Sequence, residues 1–182
     1  TCVAPDYLLV EESVKEKLIP VLIREIERAY GSDPQQSESY GRIINRKRLD
    51  TLCSYLSEGR ILYGGKSDPE ELYLSPTLLD QVSPEARLMK EEIFGPVLAI
   101  QSFRTVEEVI EKANNIPYGL SGGVWTDKGS KISKVTSQLR AGVVWANTYN
   151  KFDPTSPFGG YKESGMGREG GLHGLMPYLH HQ

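Results

Sequence analysis

Apolar positions recur along the chain at two different periods, and the switches between them mark out the elements. YLLV (residues 7–10) is a short β-type run, and Ser13-Val14-Lys15-Glu16 after it has the S-x-x-E form of a helix-start capping box. Val14, Leu18, Leu22 and Ile26 then repeat at helical spacing up to Tyr30-Gly31, which predicts one long amphipathic helix. Pro20 falls inside it, where a missing amide and a ring clash predict a kink or a shifted boundary. Residues 47–56 read as a second helix, with Cys53 at one of its apolar positions. RILYGG and YLSPTLLD read as strands separated by a polar turn at Lys66-Ser67-Asp68-Pro69, and PVLAIQSF as a third strand. Thr105-Val106-Glu107-Glu108 is another capping box, heading a helix whose apolar face is Val106, Val109, Ile110 and Ala113. GGVWT is then a strand, SKISKVTSQLRAG a helix stopped by Gly142, GVVWAN a strand, and residues 171–179 a last helix. Repeated alternation of strand and helix predicts an α/β fold, with a mainly parallel sheet carrying helices on both faces.

Composition narrows the class. The 182 residues are 38% hydrophobic and 25% charged, ordinary for a globular chain with one good-sized core. The 21 basic residues are scattered among 24 acidic ones, for a net charge of -3. No basic run is present to meet nucleic acid or an anionic membrane, and no apolar stretch approaches the roughly 20 residues that span a bilayer. With only two cysteines, Cys2 and Cys53, the reading is a cytoplasmic protein without disulfides. The first residue is Thr1, so the chain is read as processed or as part of something longer.

Four places could carry chemistry. Gly165, Gly167 and Gly170 match the G-x-G-x-x-G dinucleotide fingerprint. That motif needs a strand before it and a second strand with an acid about 20 residues on; PFGGYKES before it is not a β-type run, and the residues after it leave no room for the second strand. The glycines are instead expected to permit a tight left-handed backbone leading into the last helix. Cys2 is either a small apolar loop residue or, if amides or cations favour its thiolate, a nucleophile. Glu91-Glu92-Ile93-Phe94-Gly95-Pro96 is either a solvated junction or a carboxylate that holds ribose hydroxyls. Trp145, Tyr149, Phe152 and Phe158 cluster around a Pro-containing loop after a strand, as packing or as the lining of a pocket. His173, His180 and His181 lack an acid or cysteine to complete a ligand set, so no metal site is expected.

Taken together, TCVAPDY, EEIFGPVLAI, ANNIPYGLSGGVWT, RAGVVWANTYN and SPFGGYKESGMGREGG, in this order, resemble the catalytic part of the NAD(P)-dependent aldehyde dehydrogenase superfamily along nearly the whole chain. The resemblance implies a fold of the aldehyde dehydrogenase catalytic-domain type. In that family the nucleophilic cysteine follows a Gly-Gln-x triplet, and Thr1-Cys2 matches its end, which implies Cys2 as the nucleophile. It further implies Glu92 and Phe94 as the pair that grips the nicotinamide ribose and flanks the ring, Phe152 and Phe158 as lining of the substrate tunnel, and Asn147 at the strand end beneath it. The activity implied is oxidation of a small-molecule aldehyde to a carboxylic acid with NAD or NADP, through a cysteine thiohemiacetal and thioester, in a cytoplasmic homo-oligomer (dimer or tetramer). TCVAPDYLLV is more similar to the fatty and aromatic aldehyde branch, and the SPFGGYKESGMGREGG loop to the broad cytosolic and mitochondrial branch. Complete members also have, before the cysteine, a cofactor-binding domain, a Glu that activates the deacylating water and an Asn in the oxyanion hole, and after the last helix a strand that joins a partner subunit. Residues 1–182 are accordingly expected to be a partial catalytic domain, inactive alone. The alternatives are a non-catalytic remnant acting as a binding or regulatory module, and a thiol-dependent esterase.

Overall fold

Seven residues of alternating orientation organise the first half of the molecule. They form the strand Val97–Phe103 in a computed structural model that describes residues 1–180. The chain divides into two compact units, Thr1 with Val3–Arg104, and Cys2 with the residues from Thr105 on. In the first unit the elements in chain order are β1 (Tyr7–Glu11), α1 (Glu12–Tyr30), α2 (Arg46–Tyr55), β2 (Arg60–Tyr63), β3 (Ser67–Asp68), β4 (Tyr73–Leu74), β5 (Thr77–Asp80) and β6 (Val97–Phe103). The main sheet has the order β1-β6-β5-β2. β6 runs parallel to both neighbours, with Ala99 opposite Tyr7 on one side and Leu79 on the other, while β2 closes the edge antiparallel to β5.

Because side chains alternate across a strand, the sheet presents two apolar faces, and each is covered by a helix. Leu79, Val97 and Ala99 pack with Leu49, Leu52 and Tyr55 of α2. Val10, Leu78 and Ile100 pack with Leu18, Ile19, Leu22, Ile23 and Ile26 of α1. Leu52, Tyr55, Leu79 and Ala99 are wholly buried, and each large side chain so removed from water contributes about 1.5–3 kcal/mol. The expected α/β arrangement, mainly parallel with helices on both faces, is therefore present in this sheet.

Local details differ from the sequence reading. α1 starts at Glu12, one residue before Ser13, and the Ser13 hydroxyl bonds the Glu11 carboxylate instead of capping the helix. Val14 is 44% exposed and lies off the buried stripe. The helix continues through Pro20, which faces solvent, so the Glu16 carbonyl that loses its usual donor there can turn to water. The segment expected as a simple turn instead contains β3, which pairs antiparallel with β4, and Ser75-Pro76 separates β4 from β5. α2 begins where the Asn45 side chain accepts from the Arg48 amide, 2.9 Å away.

The second unit contains α3 (Val106–Asn114), β7 (Tyr118–Gly119), β8 (Ser121–Val124), α4 (Gly129–Gln138), β9 (Val143–Ala146), β10 (Tyr161–Lys162) and α5 (Gly171–Leu175). Thr105 caps α3 by accepting from the Glu108 amide, as its capping box predicts. β8, α4 and β9 form a β-α-β unit with parallel strands, Ser121 opposite Val143 and Val124 opposite Ala146. α4 ends at Gln138, so Gly142 is not its stop. Gly142 instead lies where an added Cβ would collide with the Gly159 carbonyl, which makes it a close-approach glycine between β9 and the loop after it. The Gly165 to Gly170 loop has φ of +104° at Gly165 and +76° at Gly170, the left-handed backbone expected, and it leads into the five-residue α5.

Candidate active-site elements

Cys2 sits in a tight turn that the Ala4 amide closes by donating to the Thr1 carbonyl at 3.0 Å. Val3 is buried and Cys2 is exposed. The turn therefore offers a thiol to solvent on a backbone anchored by its neighbour. Cys53, the other thiol, is only partly exposed and packs against the core beneath α2.

The Glu91 to Pro96 loop is held from several sides within the first unit. Ile93 is wholly buried, and its amide donates to the Asp6 carboxylate at 3.2 Å. The Arg48 guanidinium on α2 donates to the carbonyls of both Glu92 and Ile93. The Tyr55 hydroxyl donates to the Glu91 carboxylate at 2.5 Å, and desolvation followed by that carboxylate pushes the phenol up to about 12. Gly95 has no room for a side chain, since an added Cβ would press on Leu52 at 2.5 Å. What this leaves outside is the Glu92 carboxylate, exposed and bonded by none of the described residues, and the Phe94 ring, 53% exposed. Phe94 has φ of +46°, a conformation that costs a non-glycine residue about 1–3 kcal/mol and persists only when the surroundings impose it. The loop thus presents one carboxylate and one ring on a fixed backbone.

Sequence reasoning missed Asp6 and Arg48. Asp6 lies four residues past Cys2, ahead of β1, and Arg48 lies on α2. Burial raises the Asp6 carboxyl above its usual range, and the neighbouring Glu92 charge adds to this, while the backbone amides of Ile93 and Phe94 and the charge of Arg48 oppose it. No spacing rule links positions 6, 48 and 93, so only the fold brings them together.

The second unit carries a row of aromatic rings. Trp125 stacks on Tyr149 with centroids 5.9 Å apart, Tyr149 meets Trp145 at 4.7 Å, Trp145 meets Phe152 edge-on at 5.4 Å, and Phe152 meets Phe158 edge-on at 5.1 Å. Trp145 is the buried member, and its indole N–H donates to the Lys151 carbonyl at 2.8 Å. Phe152 is 52% exposed and Phe158 half-buried. Such edge-to-face rings form an apolar surface of defined shape. Asn147, at the end of β9 with φ of +52°, bonds both the amide and the carbonyl of Thr126, tying the ends of β8 and β9 together. Glu92 and Phe94 thus share one loop in the first unit, and Phe152 and Phe158 touch in the second, to which Cys2 also belongs.

Among the described residues no group of three His, Cys, Asp or Glu is placed to hold a metal; His173 and His180 are exposed, and His181 lies outside the described residues. No described helix is long and apolar enough to cross a membrane.

Comparison with known proteins adds a family. The model of the aldehyde dehydrogenase family matches residues 1–182. The 4,4'-diaponeurosporen-aldehyde dehydrogenase of Staphylococcus aureus is 39% identical, over 99% of this chain and 40% of its own length. The substrate-bound structure of AldH from Staphylococcus aureus superposes with a TM-score of 0.93 at 39% identity, covering 99% of this chain and 40% of that one. Betaine aldehyde dehydrogenase from the same organism, in complex with NAD+, superposes with a TM-score of 0.88 at 32% identity, covering 99% of this chain and 38% of that one. The chain thus spans about 40% of the length of the relatives it matches.

Proposed function

The chain belongs to the aldehyde dehydrogenase family, and from that premise we propose that it forms part of the catalytic domain of an enzyme that oxidises an aldehyde to a carboxylic acid with NAD or NADP. The observation that carries this reading is the family match along all of residues 1–182.

Cys2 is the nucleophile. Its thiolate adds to the aldehyde carbonyl carbon, and main-chain amides beside Cys2 hold the oxyanion of the resulting thiohemiacetal. A bound nicotinamide cofactor supplies the hydride acceptor. Loss of hydride from the former carbonyl carbon leaves a thioester on Cys2, and water then divides it into the carboxylic acid and the free thiol. Glu92 grips the ribose and Phe94 flanks the ring. The clamp of Asp6 and Arg48 supports this reading, because hydride transfer requires the reacting carbons to be held close and a loose anchor would forfeit that. Phe152 and Phe158 take the apolar part of the aldehyde.

The complete protein is a cytoplasmic homo-oligomer in this reading. A polypeptide of residues 1–182 alone offers the dinucleotide chiefly one carboxylate and one ring, too little to offset the entropy of immobilising it, so on its own it does not turn over.

The test is the absorbance of reduced nicotinamide, followed with the intact protein and a panel of aldehydes, beside Cys2→Ser. A serine hydroxyl is not ionised near neutral pH, so the variant is expected to lose at least about a thousandfold in rate. Equal rates for the two proteins would rule Cys2 out as the nucleophile.

A further inference from the structure

We infer that Arg168 is a positioning residue that sets the shape of the aromatic surface, and through it the preference for bulky over small aldehydes. The inference rests on the reading of Phe152 and Phe158 as the surface that meets substrate. One terminal nitrogen of the Arg168 guanidinium donates to the Gly160 carbonyl at 2.7 Å and to the Gly167 carbonyl at 2.8 Å, and the guanidinium lies over the Tyr161 ring, 5.2 Å from its centroid. These contacts draw the start and end of the glycine-rich loop together.

Phe158, and through β9 Trp145, lie beside that closure. On one side, Phe158 and Glu169 exchange backbone hydrogen bonds of 2.7 and 2.8 Å, an isolated antiparallel bridge next to Arg168 that fixes the backbone carrying the Phe158 ring. On the other, the loop backbone at Gly159 and Gly160 abuts Gly142, at the entry to β9, so closely that no side chain fits there. β9 carries Trp145, and Trp145 contacts Phe158 through Phe152. Gly159 is equally tight, since a Cβ there would meet the Arg168 side chain at 2.8 Å. Arg168 therefore ties the Gly160 backbone, which abuts the entry to β9, to the end of the loop whose next residue bridges Phe158. A guanidinium that donates to two carbonyls while its plane lies over a ring is a task for arginine; lysine can donate but has no plane to stack.

The experiment compares kcat/KM for benzaldehyde and for acetaldehyde in the intact protein with those in R168Q, R168K and F158A, and records KM for the cofactor in each. R168Q and R168K are expected to lower the benzaldehyde-to-acetaldehyde ratio about tenfold, in the same direction as F158A, with the cofactor KM changed less than about twofold. An unchanged ratio in the arginine variants, or an equal fall for both aldehydes, with F158A still shifting the ratio, would overturn the inference and leave the substrate-site reading standing. No shift in any variant, F158A included, would overturn the substrate-site reading and this inference with it. If R168Q does not fold, R168K decides, because it keeps the charge and removes the planar group and its stacking.

Discussion

Two thiols in one chain have different surroundings, and that difference is the simplest residue-level check. Cys2 is exposed on its turn, whereas Cys53, on α2, is partly buried against the core. Brief treatment with iodoacetamide should label Cys2 well ahead of Cys53; peptide mapping that found Cys53 modified first or equally would remove the basis for a reactive Cys2. Glu92 invites a second check, because its carboxylate is exposed and carries no packing role. Glu92→Gln is expected to weaken cofactor placement by about 1.5–3 kcal/mol, the worth of a charge-assisted hydrogen bond, and to leave thermal stability unchanged. A lowered melting temperature with normal cofactor affinity would mark the residue as structural. The candidates Cys2, Glu92, Phe94, Phe152 and Phe158 can be named from the sequence because they lie inside contiguous motifs. Asp6 and Arg48 cannot, since their importance comes from one buried amide and two carbonyls that only the folded chain brings within reach.

At the scale of elements, α1 is tied to the sheet by charge as well as by apolar contact. The Asp80 carboxylate at the end of β5 is buried and bonded by Lys15 of α1 and by Arg60 of β2, the latter at 3.1 Å. Burial by itself would raise its pKa, but the Lys15 ammonium, the Gln81 amide and the Arg60 guanidinium outweigh that and hold it below the ordinary value of 3.8. A carboxyl with a lowered folded pKa stabilises the fold above its unfolded pKa, and this contribution is lost as pH falls through the folded value. Asp80→Asn should therefore cost about 1–3 kcal/mol near neutral pH, with the gap to the parent protein closing in acid. Urea unfolding of both proteins across that range provides the measurement, and a pH-independent gap would contradict the assignment. Element existence was readable wherever an apolar stripe is long, as in β6 and α3. Element ends were less so. The Ser13 box failed because Glu12 already extends the helix into β1, and the β3–β4 hairpin was hidden because two-residue strands leave no periodicity to read.

For the whole molecule, the second unit exposes large apolar side chains in number: Trp125 at 59%, Met166 at 94%, Leu172 at 68% and Tyr178 at 84%. Apolar side chains this exposed favour association, so a polypeptide of residues 1–182 alone is expected to self-associate, and light scattering that showed a well-behaved monomer would contradict this. The α/β class was visible from alternation, while the division into two units was not, because Arg104-Thr105 joins β6 to α3 without a glycine or proline to announce a boundary. We propose that aldehyde oxidation passes through a covalent bond to Cys2. It is tested most directly by mixing the intact protein with an aldehyde and NAD, quenching in acid within the first turnover, and weighing the peptide that contains Cys2. A mass increase equal to the acyl group, found only when aldehyde and NAD are both present and absent from Cys2→Ser, is the predicted result. Reduced nicotinamide formed at full rate in Cys2→Ser, or an acyl group carried on another residue, would contradict it.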